Sequence, residues 1–347
     1  MHMADALVSP AVGCTMWATS AVLIGYSAKK VREDADEQKI PLMGVVGAFI
    51  FAAQMINFSI PGTGSSGHIG GGMMLAILLG PYAAFLTISS VLTVQALFFA
   101  DGGLLALGCN IFNMGFFPAF LAYPFIYKPI VGSKPTKKLI VTASIVSAIV
   151  ALQAGAFGVV METSFSGIAE LPFRKFILLM QPIHFAIGIG EGLATAALVM
   201  FIWKARPEII NTAFKENTFS KISIRKVMII LSILVVITGG VLSWFASSYP
   251  DGLEWSMLKT SGTEELTTPE KGIHSKLSAI QEKSVFLPDY SFKQKKSSDI
   301  SEVSNEKWPN IDAGTTVSGI LGSVLTLILA VLIGIILKWR TSKTKNK

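Results

Sequence analysis

Leu139-Ile-Val-Thr-Ala-Ser-Ile-Val-Ser-Ala-Ile-Val-Ala-Leu-Gln-Ala-Gly-Ala-Phe-Gly-Val-Val160 is a run of 22 residues without a charged side chain, entered from Lys134, Lys137 and Lys138. As a helix it would reach about 33 Å, enough to cross a hydrocarbon core of about 30 Å. Apolar runs of similar length recur along the chain, which is 51% hydrophobic and only 15% charged, with a mean hydropathy of +0.58. The fold class that follows is all-α, a polytopic membrane protein of about nine transmembrane helices. The net charge of +7 would suggest nucleic acid in a soluble domain. Here the basic residues cluster in short loops between apolar spans, which is a topology signal.

Lysine and arginine then assign sides. The first helix is expected over 10–28, stopping at Lys29, Lys30 and Arg32, so the N-terminus is placed outside and the basic cluster in the cytoplasm. No basic residue precedes that apolar stretch, so it does not read as a secretory leader. Further helices are expected over 41–58, 69–79, 82–100, 104–127, 139–160 and 176–203, with an outer loop over 59–67 and an outer turn at Asp101-Gly102-Gly103. Each inward exit meets basic residues, ending with Lys204 and Arg206. Residues 1–206 thus form a seven-helix bundle, followed by a cytoplasmic linker over 207–226. The remainder, 227–347, reads as a two-helix module with helices over 227–246 and 317–337 and a cytoplasmic basic tail. Its loop over 250–313 holds 11 of the chain's 22 acidic residues, which places it in water outside. The Ser-, Thr- and Lys-rich middle of that loop is expected to be flexible.

The chain begins Met1-His2-Met3. The Met1 α-amine, the His2 amide and the His2 imidazole could close two fused chelate rings on one cation and leave a fourth in-plane position. A planar nitrogen set suits Ni(II), Cu(II) or Co(II) forced into the same plane. His68, in the glycine-rich loop Pro61-Gly-Thr-Gly-Ser-Ser-Gly-His68-Ile-Gly-Gly-Gly72, could fill that position; the competing reading leaves His2 an ordinary second residue. The loop lacks the Gly-Lys-Ser/Thr ending of a phosphate loop. Metal candidates are therefore Met1, His2 and His68. Polar residues inside apolar spans usually face a bundle interior. Gln95 and Gln153 are read as helix-to-helix hydrogen bonding. Asn57, Asn110 and Asn113 are candidates for orienting a ligand histidine, the last two sharing one helix face. Cys14 and Cys109 both sit in apolar segments and are expected to be small packing residues.

His184 and Glu191 lie seven apart on one helix face with Gly188 and Gly192, a pattern that permits close approach of a neighbouring helix. A buried structural hydrogen bond is the preferred reading of His184, a metal ligand the other; Glu191 has no assigned role. His274, in the outer loop, is read as incidental. No nucleophile–base pairing or zinc-protease spacing is present, so the chain is read as a binding and permeation component and not an enzyme, with no resident cofactor.

Met1-His2-Met3-Ala-Asp-Ala, Gln54-Met-Ile-Asn57-Phe58, Gly67-His68, Asp101-Gly-Gly103, Asn110-Ile-Phe-Asn113-Met114 and His184…Gly190-Glu191-Gly192 together resemble the nickel/cobalt substrate-binding (S) subunits of energy-coupling factor (ECF) transporters, the CbiM/NikM type. The downstream Pro250-Asp-Gly-Leu-Glu-Trp-Ser256 and Leu287-Pro-Asp-Tyr-Ser-Phe292 resemble the small CbiN/NikN companion, fused in frame. The resemblance implies an N-terminus inserted from outside and in-plane ligation by the Met1 amine, the His2 amide and imidazole, and His68. It also implies capture of Ni2+ or Co2+ as transported ligand, cobalt serving cobalamin biosynthesis in some members, with an ECF coupling subunit and cytosolic ATPases as partners. This chain carries Met-Ala-Asp-Ala-Leu after His2, where relatives often carry Ile-Pro-Asp-Gly-Phe, so the subtype does not separate nickel from cobalt. The alternative is a membrane metal sensor or passive channel working without an ATPase. Metal capture is expected to be separable from the module, surviving truncation after Arg206.

Overall fold

The structure is a computed structural model that describes residues 2–34, 39–205, 224–269, 271–292 and 308–345. Met1, the linker up to residue 223 and residues 293–307 of the outer loop lie outside them. In chain order the elements are α1 Pro10–Asp34, α2 Lys39–Gln54, β1 Phe58–Ile60, β2 Ser65–Gly67, α3 Gly72–Leu79, α4 Pro81–Phe99 and α5 Leu107–Val131. They continue with α6 Lys137–Ser166, α7 Phe173–Ala205, α8 Ile224–Gly240, α9 Gly252–Ser261, α10 Ile273–Ser284 and α11 Ala313–Lys345. Among the described residues, α1, α4, α5, α6, α7 and α11 are long and apolar enough to cross a bilayer. Their outward faces carry bare apolar side chains, such as Val22 at 71% and Leu178 at 64% exposure. This is a multi-pass membrane protein.

Three expectations change. The loop over 59–67 is an antiparallel hairpin, pairing Phe58 with Gly67 and Ile60 with Ser65. The helix expected from residue 69 starts only at Gly72, because the Gly70 and Gly71 amides are used in tertiary hydrogen bonds; eight residues reach about 12 Å, too short to cross. The middle of the outer loop, expected to be flexible, carries α10 over Ile273–Ser284, while its part over 293–307 lies outside the described residues. Asp251 caps α9 by accepting from the Leu253 and Glu254 amides, while Glu254 accepts from the Asp251 amide, a reciprocal arrangement that fixes a helix start. Cys109 is buried as expected, whereas Cys14 is exposed on α1.

Glycines set the tightest helix contacts. A Cβ on Gly188 or Gly192 would lie 2.9 or 2.6 Å from the Cα of Ile149 or Ile145, so α6 and α7 meet backbone to backbone as their glycine spacing predicts. Gln153 and Gln181 donate to each other's carbonyls across the same pair. Gln95 donates to Gln54, joining α4 to α2. On the module side α11 lies against α2, where a Cβ on Gly322 would overlap the Phe51 ring at 2.0 Å. The module's two long helices meet at Gly239 and Gly319, where a Cβ on Gly319 would stand 2.3 Å from the Gly239 carbonyl oxygen. Gly319→Leu is expected to cost about 1–3 kcal/mol by overpacking this crossing. A thermal unfolding scan of the solubilised protein checks it; an unchanged midpoint contradicts the contact.

Candidate metal centre

The N-terminal segment enters the bundle without regular structure apart from a single helical turn at Asp5–Leu7, flanked by extended backbone at Ala4 and Val8. Met3, Leu7 and Val8 are essentially inaccessible, so the segment is packed like core. Its backbone is matched group by group. The Met3 amide donates to Asn110 Oδ1 at 2.8 Å, Asn110 Nδ2 donates back to the Met3 carbonyl at 3.2 Å, and the Gly103 amide donates to the same carbonyl at 3.0 Å. Asp5 accepts from the Ala106 amide at 2.9 Å. Gly103 is required here, because a Cβ would stand 1.9 Å from Asp5 Oδ1.

That docking places His2 parallel to His68, with ring centroids 5.1 Å apart and planes 5° from parallel. His2 Nδ1 is 3.0 Å from Asp101 Oδ1, and His68 Nε2 is 3.9 Å from Asp251 Oδ2. His2 Nε2 is buried with no hydrogen-bond partner. Burial pushes the His68 imidazole down to about 3, which keeps it in the neutral form that ligates metals. Burial opposes ionisation of Asp101, but the charge and hydrogen bond of His2 outweigh it and hold that carboxyl well below the usual range. The loop behind His68 is fixed from α7, where the Glu191 carboxylate accepts from the Gly71 and Gly70 amides at 3.0 and 3.2 Å. Gln54 donates to the Gly70 carbonyl at 2.9 Å.

The remaining sequence candidates take other places. Asn110 orients the Met3 backbone and not an imidazole. Asn113 donates to Glu162 at 2.7 Å. Asn57 lines the cavity outside His2, and its carbonyl accepts from the Ser247 amide. His274 is far from incidental: it is 4% exposed and its Nε2 pairs with the Val8 carbonyl at 2.9 Å. Tyr290 hydrogen-bonds Asp101, Gln281 donates to the Gly102 carbonyl at 2.9 Å, and the Ser66 amide donates to the Pro250 carbonyl at 2.8 Å. The module therefore roofs the site. Beneath that roof lies a cavity of about 580 Å³ lined by Asp101, Asp251, Glu254, Glu264, Glu265 and Asp289 among others. Burial and then neighbouring Asp251 push the Glu254 carboxyl up to about 7. Among the described residues no three His, Cys, Asp or Glu side chains form a ready-made metal cage.

Residues 2–209 match the family model for the cobalt uptake substrate-specific transmembrane region (CbiM), and residues 225–339 match the PDGLE domain. The chain belongs to the CbiM family of nickel and cobalt transport proteins. A provisionally named fused nickel transport protein NikMN of Archaeoglobus fulgidus is 30% identical, covering 95% of this chain and 96% of its own. The fused nickel transport protein NikMN of Rhodobacter capsulatus is 32% identical over 60% of this chain and 64% of its own. A crystal structure of a transition metal transporter superposes with a TM-score of 0.53 at 31% identity, covering 62% of this chain and 97% of that one. The chain is thus a CbiM/NikM unit fused to a CbiN/NikN-like unit.

The sequence reading missed Asp101 as a partner of His2, Glu191 as the anchor of the His68 loop, and Asp251 beside His68. The signal for Asp101 was an acid in the turn Asp101-Gly102-Gly103, read as turn chemistry, and Asp251 entered only as part of the motif over 250–256. Gly103→Ala is expected to unseat the N-terminal segment and weaken metal binding about tenfold to a hundredfold, from an overpacking cost of about 1–3 kcal/mol, with the helical bundle intact. Isothermal titration with Ni2+ beside circular dichroism checks both halves.

Proposed function

We propose that the chain is the substrate-capture subunit of an ECF-type importer for Ni2+ or Co2+, taking the ion from outside at His2 and His68. The observation that carries this reading is the parallel approach of the two imidazoles at 5.1 Å, brought about by burial of Met3, Leu7 and Val8 beside them. With two histidines and no cage of three acidic, cysteine or histidine side chains among the described residues, main-chain nitrogens are the natural remaining donors. The Met1 amine and the His2 amide supply them and complete a four-nitrogen plane suited to Ni(II) and planar Co(II).

Chelation through the His2 amide closes its second ring only through Nδ1, the nitrogen that pairs with Asp101. Ion and Asp101 therefore compete for one atom, and the loaded state frees Asp101 to remain with Tyr290. The acidic cavity outside the histidines concentrates divalent cations in a chain whose net charge is +7, because low-dielectric walls focus the local field. A separate coupling subunit and cytosolic ATPases, which this chain does not supply, drive release inward. The N-terminus is extracytoplasmic and the C-terminus cytoplasmic in this reading.

Two measurements test it. A tag or a single residue added before Met1 removes the amine from its ring, so tight Ni2+ binding is expected to vanish, as it is with His68→Ala; a tag after Lys347 is expected to be harmless. Full affinity in an N-terminally extended chain contradicts amine ligation. Glu264→Gln with Glu265→Gln, both at exposed positions of the cavity rim, is expected to slow cation association and flatten its salt dependence while leaving dissociation nearly unchanged. Stopped-flow measurements at several ionic strengths separate the two rates, and a change confined to dissociation would contradict the funnel.

A further inference from the structure

Behind His68 the bundle holds a second, much smaller cavity of about 30 Å³, lined by His68, Asp251, Gly252, Leu152, His184 and Glu191 among others. It is large enough to admit a water molecule, which needs roughly 10–15 Å³, but not a fully hydrated divalent ion. A divalent ion entering it must leave most of its hydration shell behind and accept protein donors instead.

His184 is built to be such a donor. It lies 11 residues into α7, about 16 Å along the helix from Phe173, and is 1% exposed. Its Nδ1 sits 2.8 Å from the Met180 carbonyl oxygen. A carbonyl only accepts, so Nδ1 carries the proton and Nε2 presents its lone pair. That nitrogen is buried without a hydrogen-bond partner. Gly252 leaves room in front of it, since a Cβ there would lie 3.3 Å from Nε2. An imidazole whose second nitrogen is tied to a carbonyl is the arrangement in which metal-ligating histidines are oriented. An ionisable side chain at membrane depth facing a cavity marks an ion path more often than packing.

We propose that His184 is an inner transit ligand: an ion released from His68 passes into this cavity and is held briefly through His184 Nε2. The proposal rests on capture at His2 and His68. Glu191 ties the two stations together, because it holds the His68 loop from the helix that carries His184. Weak holding is what a transit station needs, since an ion must enter readily and leave readily.

The test uses the full chain with Cys14 and Cys109 replaced by Ser and His184→Cys introduced, titrated with Co2+ alone. Filling of the His2–His68 site is followed by the visible cobalt bands, and arrival at position 184 by a near-ultraviolet thiolate-to-cobalt charge-transfer band. The expected result is that the charge-transfer band appears once the outer site is filled, and is missing when residue 184 is His. An outer site that fills with no thiolate band at excess cobalt overturns the inference and leaves capture standing; the cavity then holds only water. If cobalt fills neither position, capture and transit fall together. A second variant guards against misfolding: His184→Gln is expected to bind Ni2+ at the outer site as the parent does, while uptake in cells co-expressing coupling and ATPase subunits falls about tenfold or more. Uptake at the parental rate in that variant also overturns the inference.

Discussion

The two-way hydrogen bond between the Asn110 side chain and the Met3 backbone governs the geometry of this molecule's outer half. An extended segment pushed into an apolar bundle brings amides and carbonyls that water can no longer satisfy, and each one left unpaired costs about 1–3 kcal/mol. Asn110 answers one donor and one acceptor of Met3 at once, and Gly103 adds a second donor to the same carbonyl. The pairing also fixes register. A slip of one residue would turn the His2 ring away from His68 and break the Asp5–Ala106 contact. The position of His2 is therefore set by main-chain matching, while packing of Met3 and Leu7 supplies the bulk of the burial.

His68 is held by a different means, from behind. Its loop carries Gly70 and Gly71, whose amides converge on one Glu191 carboxylate, and a carboxylate accepting from two amides makes a firmer anchor than two neutral contacts would. The cost is a carboxylate buried in the bundle, tolerated because both of its oxygens are matched. One imidazole is placed by an asparagine on α5 and the other by a glutamate on α7, so any relative movement of those helices changes the distance between the two rings. A site of this design can open without unfolding.

Much of this was legible in the sequence. The apolar runs and their basic ends marked the long helices, and Gly188 and Gly192 marked a face that a neighbouring helix approaches closely, which the structure identifies as α6. His2 stood out for the chelate that its place after Met1 allows, and His68 for its glycine-rich loop. What stayed hidden depended on long-range pairing. Asp101 occupies a turn and Asp251 a helix cap, and in both places an acid needs no explanation beyond local chemistry. Glu191 lies 120 residues from the Gly71 amide it accepts from. His274 was set aside because its surroundings are polar, yet α10 folds onto the core and gives it the Val8 carbonyl. Composition reports where a segment is compatible with water, not whether a partner surface covers it.

That covering explains why the two-helix unit gains from being fused. Besides helix and aromatic packing, its grip on the site includes a set of single hydrogen bonds, among them Ser66 to Pro250, Trp255 to the Thr63 carbonyl at 3.0 Å, Gln281 to Gly102, His274 to Val8 and Tyr290 to Asp101. Each is worth roughly 0.5–1.5 kcal/mol, and separate chains would need to overcome several kcal/mol of lost translational and rotational freedom to make them. A covalent link turns that encounter into an intramolecular one at an effective concentration in about the millimolar range. Weak contacts then suffice to keep Asp251 beside His68 and Tyr290 on Asp101 for most of the time, while each remains weak enough to break. Two of the carboxylates nearest the histidines are tied to the module, since Asp101 is held by Tyr290 and Asp251 lies in the module itself, so the fused unit shapes the surroundings of both rings.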